Sequence, residues 1–198
     1  MSGIIARHTV AAYSTTSLTN SADTPIITTR LPVKEIEKRG MAEEVVASIQ
    51  EVLGRVDLFN GLDQQELERV ADVCHQRSCR QGELVFGQDS AGDELYVVKS
   101  GKVVLQIKGR GHQPATVVHM VEEGQVFGEV ALIDGESRAA GATAVSDCDM
   151  VILPREDLCR VLEADDHIGY VVMRNLAAIL ASRLRKANLQ LMASESWK

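Results

Sequence analysis

A glutamate and an arginine near the middle of the chain have neighbours that favour ligand binding. Glu129 follows Phe127-Gly128, and Arg138 precedes Ala139-Ala140. A glycine lets the backbone approach a ligand closely, and backbone amides at a helix N-terminus favour an anion. The planar guanidinium of an arginine can hold two phosphate oxygens, while a carboxylate accepts a hydrogen bond from a sugar hydroxyl. The two side chains together therefore predict a site for a sugar phosphate.

Other interpretations of these residues stay open. Glu129 and Arg138 could form a structural ion pair that binds nothing. An active site is not indicated, because no nucleophile stands beside a base in the pattern. We therefore expect a binding protein and not an enzyme. The histidines lack the spacing of metal ligands, so we also expect no metal: His8, His75, His112, His119 and His167.

The composition excludes several classes of function. The chain has 21 Lys and Arg against 28 Asp and Glu, a net charge of -7, which does not suit a general binder of nucleic acid. Aromatic residues make up only 4%, too few for a platform that stacks bases. No apolar run approaches the ~20 residues of a membrane span, and the N-terminus lacks a signal-peptide core. We expect a cytoplasmic protein with reduced cysteines, because no CxxC spacing occurs among Cys74, Cys79, Cys148 and Cys159.

Helical periodicity flanks the central part of the chain. A helix is predicted within residues 41–57, with these apolar residues on one face: Val45, Ile49, Val52 and Leu53. Asp63, with Glu66 three residues later, predicts a capping box at the start of a second helix over residues 64–74. A long helix is predicted over residues 167–192.

Short strands separated by turn residues are predicted between Gly82 and Pro154. They are Glu83–Phe86, Leu95–Val98, Val103–Ile107, Thr116–Val121 and Met150–Leu153. Strands at this spacing are typical of a small antiparallel β-barrel or jelly roll. The sequence therefore predicts an α+β fold, in which the barrel or jelly roll lies between N-terminal helices and a long C-terminal helix.

The first forty residues have a different composition from the remainder. They are rich in Ser and Thr and show no sustained period. Three interpretations remain open: a disordered tail, an organelle transit peptide, or an extended arm that docks on a protein partner. The expected organisation is an extended or disordered arm over residues 1–40, a helix over 41–57, a binding domain over 58–192 and a tail over 193–198.

The segment Phe127-Gly128-Glu129-Val130-Ala131-Leu132-Ile133, followed by Arg138-Ala139-Ala140, resembles the phosphate-binding cassette of cyclic nucleotide-binding domains. Such domains occur in the bacterial catabolite activator protein, in protein kinase A regulatory subunits and in gated channels. The resemblance extends over roughly residues 55–192 and includes the predicted strands. No segment resembles an output domain of those proteins.

The resemblance implies how the cassette would hold a ligand. Glu129 would bind the ribose 2′-hydroxyl, and Arg138 the exocyclic phosphate oxygens. The phosphate cradle would be completed by the backbone amides of Gly128, Val130 and Ala139. The other cassette residues expected at the ligand are Phe127, Ala131 and Ala140.

Ligand choice and the lid over the base are also implied by the resemblance. In this family, alanine at the position of Ala139 goes with cAMP, while threonine goes with cGMP because its hydroxyl bonds the guanine. Ala139 therefore favours cAMP. The long helix would cap the adenine, with Arg185 or Asn188 as the polar contact.

A stripe of apolar residues runs along the long helix at alternating three- and four-residue steps. Its members are Met173, Leu176, Leu180, Leu184, Ala187 and Leu191. This is the seam of a left-handed coiled coil and predicts a homodimer, although the stripe could instead pack on its own barrel. The basic residues of the helix are expected to form a solvated face and not a DNA contact: Arg174, Arg183, Arg185 and Lys186.

The sequence thus predicts a stand-alone regulatory sensor that binds a cyclic nucleotide, with cAMP favoured, and signals to a protein partner. The alternative is a structural or adaptor subunit that uses the same fold without a ligand.

Overall fold

The computed structural model describes residues 44–109 and 114–195. The predicted arm over residues 1–40 lies outside this range, as do residues 196–198 of the predicted tail. The compact unit that holds the site begins at Val46. The described helices are α1 (residues 44–53), α2 (Gln64–Ala71), α3 (Val130–Asp134), α4 (Arg155–Ala164) and α5 (Asp166–Glu195), with a 3-10 turn at Asp57–Phe59. None of them combines the length and the apolar character that crossing a bilayer requires.

Eight strands form two antiparallel four-stranded sheets in the described residues. They are β1 (His75–Cys79), β2 (Leu84–Phe86), β3 (Glu94–Ser100), β4 (Val103–Ile107), β5 (Thr116–Val121), β6 (Val126–Phe127), β7 (Gly141–Ala144) and β8 (Cys148–Pro154). One sheet has the order β1-β8-β3-β6 and the other the order β2-β7-β4-β5. The predicted fold class is confirmed, with one refinement: the pairing of the described strands leaves two separate sheets and no closed barrel.

The central strands β3 and β8 are buried on both faces. In β3, Leu95 and Val97 pack against the helices, while Tyr96 and Val98 point between the two sheets. This follows from the two-residue period of a strand. Burial on both faces explains why β3 and β8 contain runs of consecutive apolar residues. Strand β5, by contrast, is mostly exposed. Each large apolar side chain buried in this way contributes roughly 1.5–3 kcal/mol to the free energy of unfolding.

Helix α5 is fixed to the rest of the fold at its start and along its first half. The side chain of Asp165 caps the helix by accepting hydrogen bonds from the backbone amides of His167 at 2.9 Å and Ile168 at 3.1 Å. The same carboxylate accepts from Arg69 Nη1 of α2 at 2.8 Å, which joins this end of α5 to another element. Asn175 then donates from Nδ2 to the backbone carbonyl of Asn60 at 2.8 Å. These contacts set the direction in which the second half of α5 leaves the core.

Local signals were accurate where neighbouring residues decide the structure. The capping box is present, because Asp63 accepts from the Glu66 amide while the Glu66 side chain accepts from the Asp63 amide. The four cysteines are free thiols, as predicted. The helix that begins at Gln64 ends at Ala71 and not at residue 74. Strand β1 follows it and was not predicted, since its residues His-Gln-Arg-Ser-Cys are polar and mostly exposed.

The apolar stripe on α5 is divided between two environments. Leu176 is fully buried, and Leu180 is half-buried against the same helical core. For these two residues the alternative of packing on their own domain is correct. Leu184 and Leu191 are each 63% exposed, so the C-terminal part of the predicted seam faces away from the domain, as does Met173 at its N-terminal end.

Candidate functional site

The cassette leaves the sheet at β6 and turns sharply at Gly128. This glycine has φ +80°, in the left-handed region. A Cβ atom there would lie 2.6 Å from Arg138 Nη1 and 3.1 Å from the carbonyl oxygen of Glu94. Both the backbone conformation and the close approach therefore require glycine. The short helix α3 follows and ends at Asp134, before Gly135 with φ +71°.

Arg138 is held from both its backbone and its side chain. Its amide donates to the carbonyl of Ser90, and its carbonyl accepts from the amide of Asp89, each at 2.9 Å. Its guanidinium donates from Nη1 to the carbonyl of Gly128 at 3.0 Å. The residue is only 3% exposed, and its Nε has no hydrogen-bond partner among the described residues. A buried cation thus retains an unused donor.

Three aromatic rings form a floor under this guanidinium. The Arg138 Cζ atom lies 4.3 Å from the centroid of Phe86 and 5.6 Å from that of Tyr96. Phe127 stacks on Tyr96 at a centroid distance of 4.9 Å. Cation–π attraction of this kind stabilises a charge that burial would otherwise penalise. Burial still lowers the pKa of Arg138 from its ordinary value, but an arginine remains protonated in proteins.

Glu129 is bound by an arginine of α5. Arg183 donates from Nη1 to Glu129 Oε1 and from Nη2 to the carbonyl of Val126, the latter at 2.5 Å. The Glu129 side chain is 4% exposed, and that of Arg183 is 22% exposed. The alternative of a structural ion pair between Glu129 and Arg138 is not found: within the described residues, the salt bridge of Glu129 is with Arg183.

Six of the ten predicted site residues line one small cavity of about 60 Å³. They are Gly128, Glu129, Val130, Arg138, Ala139 and Ala140. Phe86 and Leu105 complete the lining. The cavity has a carboxylate and a guanidinium beside one glycine turn, which is the arrangement that a sugar phosphate requires. The local spacing in the sequence therefore predicted the geometry of the cassette.

The remaining predicted residues lie elsewhere. Phe127 is fully buried between the sheets, where it supports the cassette from behind. Ala131 belongs to α3. Arg185 and Asn188 are exposed on α5, and neither has a hydrogen bond or ion pair with the cassette in the described part of the chain. Their role at an adenine stays a prediction.

The sequence analysis missed the α5 residue that binds the cassette glutamate. Arg183 was assigned to a solvated basic face, and that assignment is wrong for this residue. The sequence analysis did not single out Phe86 or Tyr96 either. A usable signal existed for the rings, because only three Phe and three Tyr occur in the chain and two of them lie in predicted strands.

Comparison with known proteins agrees with this geometry. Residues 76–165 match the family model of the cyclic nucleotide-binding domain. The cyclic AMP receptor protein of Thermus thermophilus is 38% identical over 134 residues, which cover 68% of this chain and 60% of that protein. A cGMP-dependent protein kinase of Toxoplasma gondii is 30% identical over 149 residues, or 75% of this chain and 14% of the kinase.

The fold is also found in solved structures. The regulatory domain of Toxoplasma gondii PKA, crystallised with cAMP, superposes with a TM-score of 0.66 at 27% identity, and the match covers 77% of this chain and 56% of that one. This chain thus spans 60% of the length of the Thermus protein and a much smaller share of the Toxoplasma kinase. The family model, the relatives and the two-sheet fold agree, and the domain around the cassette belongs to the cyclic nucleotide-binding domain family.

Proposed function

We propose that this domain binds cAMP reversibly and passes the binding event to α5. One observation carries the proposal: Glu129 and Arg138, each 3% exposed, line the same cavity. Buried charges with a defined environment in a cavity are typical of functional sites. The unused Nε donor of Arg138 supports an anionic ligand, because a buried donor gains a hydrogen bond when a phosphate oxygen approaches.

The size of the cavity suggests which part of the nucleotide enters first. Ligand pockets are usually about 300–1,000 Å³. The cassette cavity is about 60 Å³, which suits a phosphate but not a whole nucleotide. The ribose and the base would therefore have to displace the side chains around the cavity. Arg183 would be one of the side chains affected, because it binds the Glu129 carboxylate.

This contact supplies the proposed link to α5. A ribose hydroxyl that donates to Glu129 would meet a carboxylate already bonded to Arg183. The ligand would then weaken or rearrange the Arg183 contact. Because Arg183 belongs to α5, the equilibrium position of the helix would change with occupancy. A regulatory sensor needs a coupling of this kind.

The choice of cAMP rests on Ala139 and on relatives. Ala139 lines the cavity and offers no hydroxyl to a guanine. The relatives include a protein described as a cyclic AMP receptor and one described as a cGMP-dependent kinase, so both ligands are represented among them. Ala139 favours cAMP.

A ligand-free adaptor is the second candidate, and one observation favours it. Glu129 is neutralised by Arg183, and Arg138 is held by aromatic rings and a backbone carbonyl. The charges of the cassette are therefore stabilised by the protein itself. In this case the fold would serve as a docking block, and cAMP would not bind.

The proposal also covers the kind of protein, its oligomeric state, its partner and its cellular compartment. We infer a binding protein and not an enzyme; the Cys74 thiol, for example, donates to the Val70 carbonyl, and burial raises its pKa to about 12, which makes it a poor nucleophile. We infer a homodimer through the exposed part of α5 and a protein partner that reads the change. The four free thiols suit a reducing compartment such as the cytoplasm.

Calorimetric titration with cAMP tests the proposal. Wild type should bind, and Arg138→Ala should lose at least ~1.5–3 kcal/mol, roughly 10- to 100-fold in affinity, as expected for a lost charge-assisted contact. Arg55→Ala is the matched control, since Arg55 is an exposed arginine that pairs with Glu51 of α1 and lies outside the cassette cavity. A folded wild type that gives no binding heat would favour the adaptor instead.

A further inference from the structure

A second and larger cavity lies on the other side of Arg183, between α5, the 3-10 turn and the β5–β6 turn. Its volume is about 390 Å³, within the ordinary range of ligand pockets. None of the residues from Phe127 to Ala140 lines it. We call it the α5 cleft and define it by Asp57, His119, Val126, Ile179, Arg183 and Lys186.

The charges around the α5 cleft are unbalanced. Arg183, Lys186 and His119 supply two permanent cations and one protonatable ring, against Asp57 as the only carboxylate among the lining residues. Arg183 is engaged with Glu129 and Val126. Neither Lys186 nor the His119 ring has an ion-pair partner in residues 44–109 and 114–195. The cleft therefore has cationic groups that a ligand could neutralise.

The pKa of the His119 ring is consistent with the same excess of positive charge. Its pKa lies below the ordinary value, because burial and the positive charges of Arg183 and Lys186 disfavour the imidazolium, while Glu129 opposes them weakly. Burial is the largest of these causes, and the two positive charges add to it. An anion bound nearby would offset part of that positive charge and raise the His119 pKa.

One wall of the α5 cleft is apolar and includes Ile179 and the buried Val126. Asn175 and Ser182 add polar side chains to the lining. Apolar walls with a few polar groups at one end are usual in small-molecule sites. The matching ligand has a compact apolar or planar body and one anionic group.

We propose that the α5 cleft is a second binding site, separate from the cassette, for a small organic anion such as a phosphate monoester. Lys186 and His119 bind the anionic group, and the apolar wall of β6 and α5 receives the body of the ligand. The site adjoins Arg183, so its occupancy also bears on the contact between α5 and Glu129. The proposal does not depend on cAMP binding at the cassette.

Phenyl phosphate is a suitable probe, with benzyl alcohol as its uncharged counterpart. The experiment follows the His119 ring by NMR in full-length protein that carries Arg138→Ala, so that the cassette phosphate contact is removed. Phenyl phosphate should shift the His119 resonances in a saturable manner and raise the His119 pKa, and benzyl alcohol should do neither. The absence of a saturable shift would overturn the proposal.

Two lysine variants separate a specific site from general charge attraction. Lys186→Gln should weaken phenyl phosphate binding roughly fivefold, since Lys186 supplies a charge-assisted bond that water partly screens. Lys108→Gln removes the same charge from an exposed position just after β4, outside the lining of the α5 cleft, and should not change phenyl phosphate binding. Equal losses in both variants would refute the site.

Discussion

Arg183 of α5 donates a hydrogen bond to Glu129 of the cassette, across 54 positions of sequence. The carboxylate is buried, and the arginine reaches it from the last part of α5 that still packs on the domain. From Leu184 to Met192 the helix is exposed. This contact therefore joins the residue expected to bind the ribose to the element expected to carry the signal.

Replacement of Arg183 should separate ligand binding from the response of the helix. Arg183→Gln leaves Glu129 buried without its cation, so the free energy of unfolding should fall by about 1–3 kcal/mol. In wild type, cAMP should change the hydrogen exchange of α5, and in Arg183→Gln this change should disappear although cAMP still binds. Arg174→Gln is the control on the same helix, since Arg174 stacks on Tyr170 and not on the cassette. An unaltered exchange response in Arg183→Gln would show that the signal takes another route.

Ala139 should set the preference for cAMP over cGMP. Ala139→Thr adds a hydroxyl at the cavity and should improve cGMP binding roughly three- to tenfold, the effect of one neutral hydrogen bond. Competition calorimetry with both nucleotides measures this. Ala139→Val has the shape of threonine without the hydroxyl and should not improve cGMP binding. A wild type that already prefers cGMP would contradict the assignment.

The exposed part of α5 should form a homodimer. Leu184→Glu should shift the protein to a monomer in light scattering, because a charge enters the apolar seam. Leu180 is a poor choice for this test, as it also packs in the domain core. Leu189→Glu is the matched control, since Leu189 is 67% exposed but lies off the stripe. If wild type is a monomer, or if both variants dissociate equally, the seam is not the interface.

Asp165 should make the start of α5 sensitive to acid. The amide of Ile168 and then the guanidinium of Arg69 lower the pKa of this carboxylate below its ordinary value. Its contribution to stability is therefore present above the unfolded pKa, near 4, and is lost as the pH falls through the folded value. Asp165→Asn should lower the melting temperature at pH 7, and the difference from wild type should shrink below about pH 4. Glu163 is an exposed carboxylate on α4, and Glu163→Gln should leave the melting temperature unchanged both at pH 7 and below about pH 4.

What the sequence determined by itself is the local part of the molecule. The cassette residues from Gly128 to Ala140 act within one turn and one short helix, so their order in the chain largely fixes their positions. The capping box at Asp63 spans three residues, and the double burial of β3 appears as a continuous apolar run. In each case the residues that interact are neighbours in sequence or repeat at the period of a single element.

Only the tertiary structure decided which distant residues meet the cassette. Arg183, Arg185 and Lys186 have similar chemistry, and nothing in their order shows that Arg183 alone turns inward. That depends on the direction of α5, which Asp165 and Asn175 fix through contacts with Arg69 of α2 and with Asn60. The aromatic floor likewise requires β2, β3 and β6 to come together from two sheets. Such contacts depend on how rigid elements pack in three dimensions, and the period of a single helix or strand contains no information about its partners.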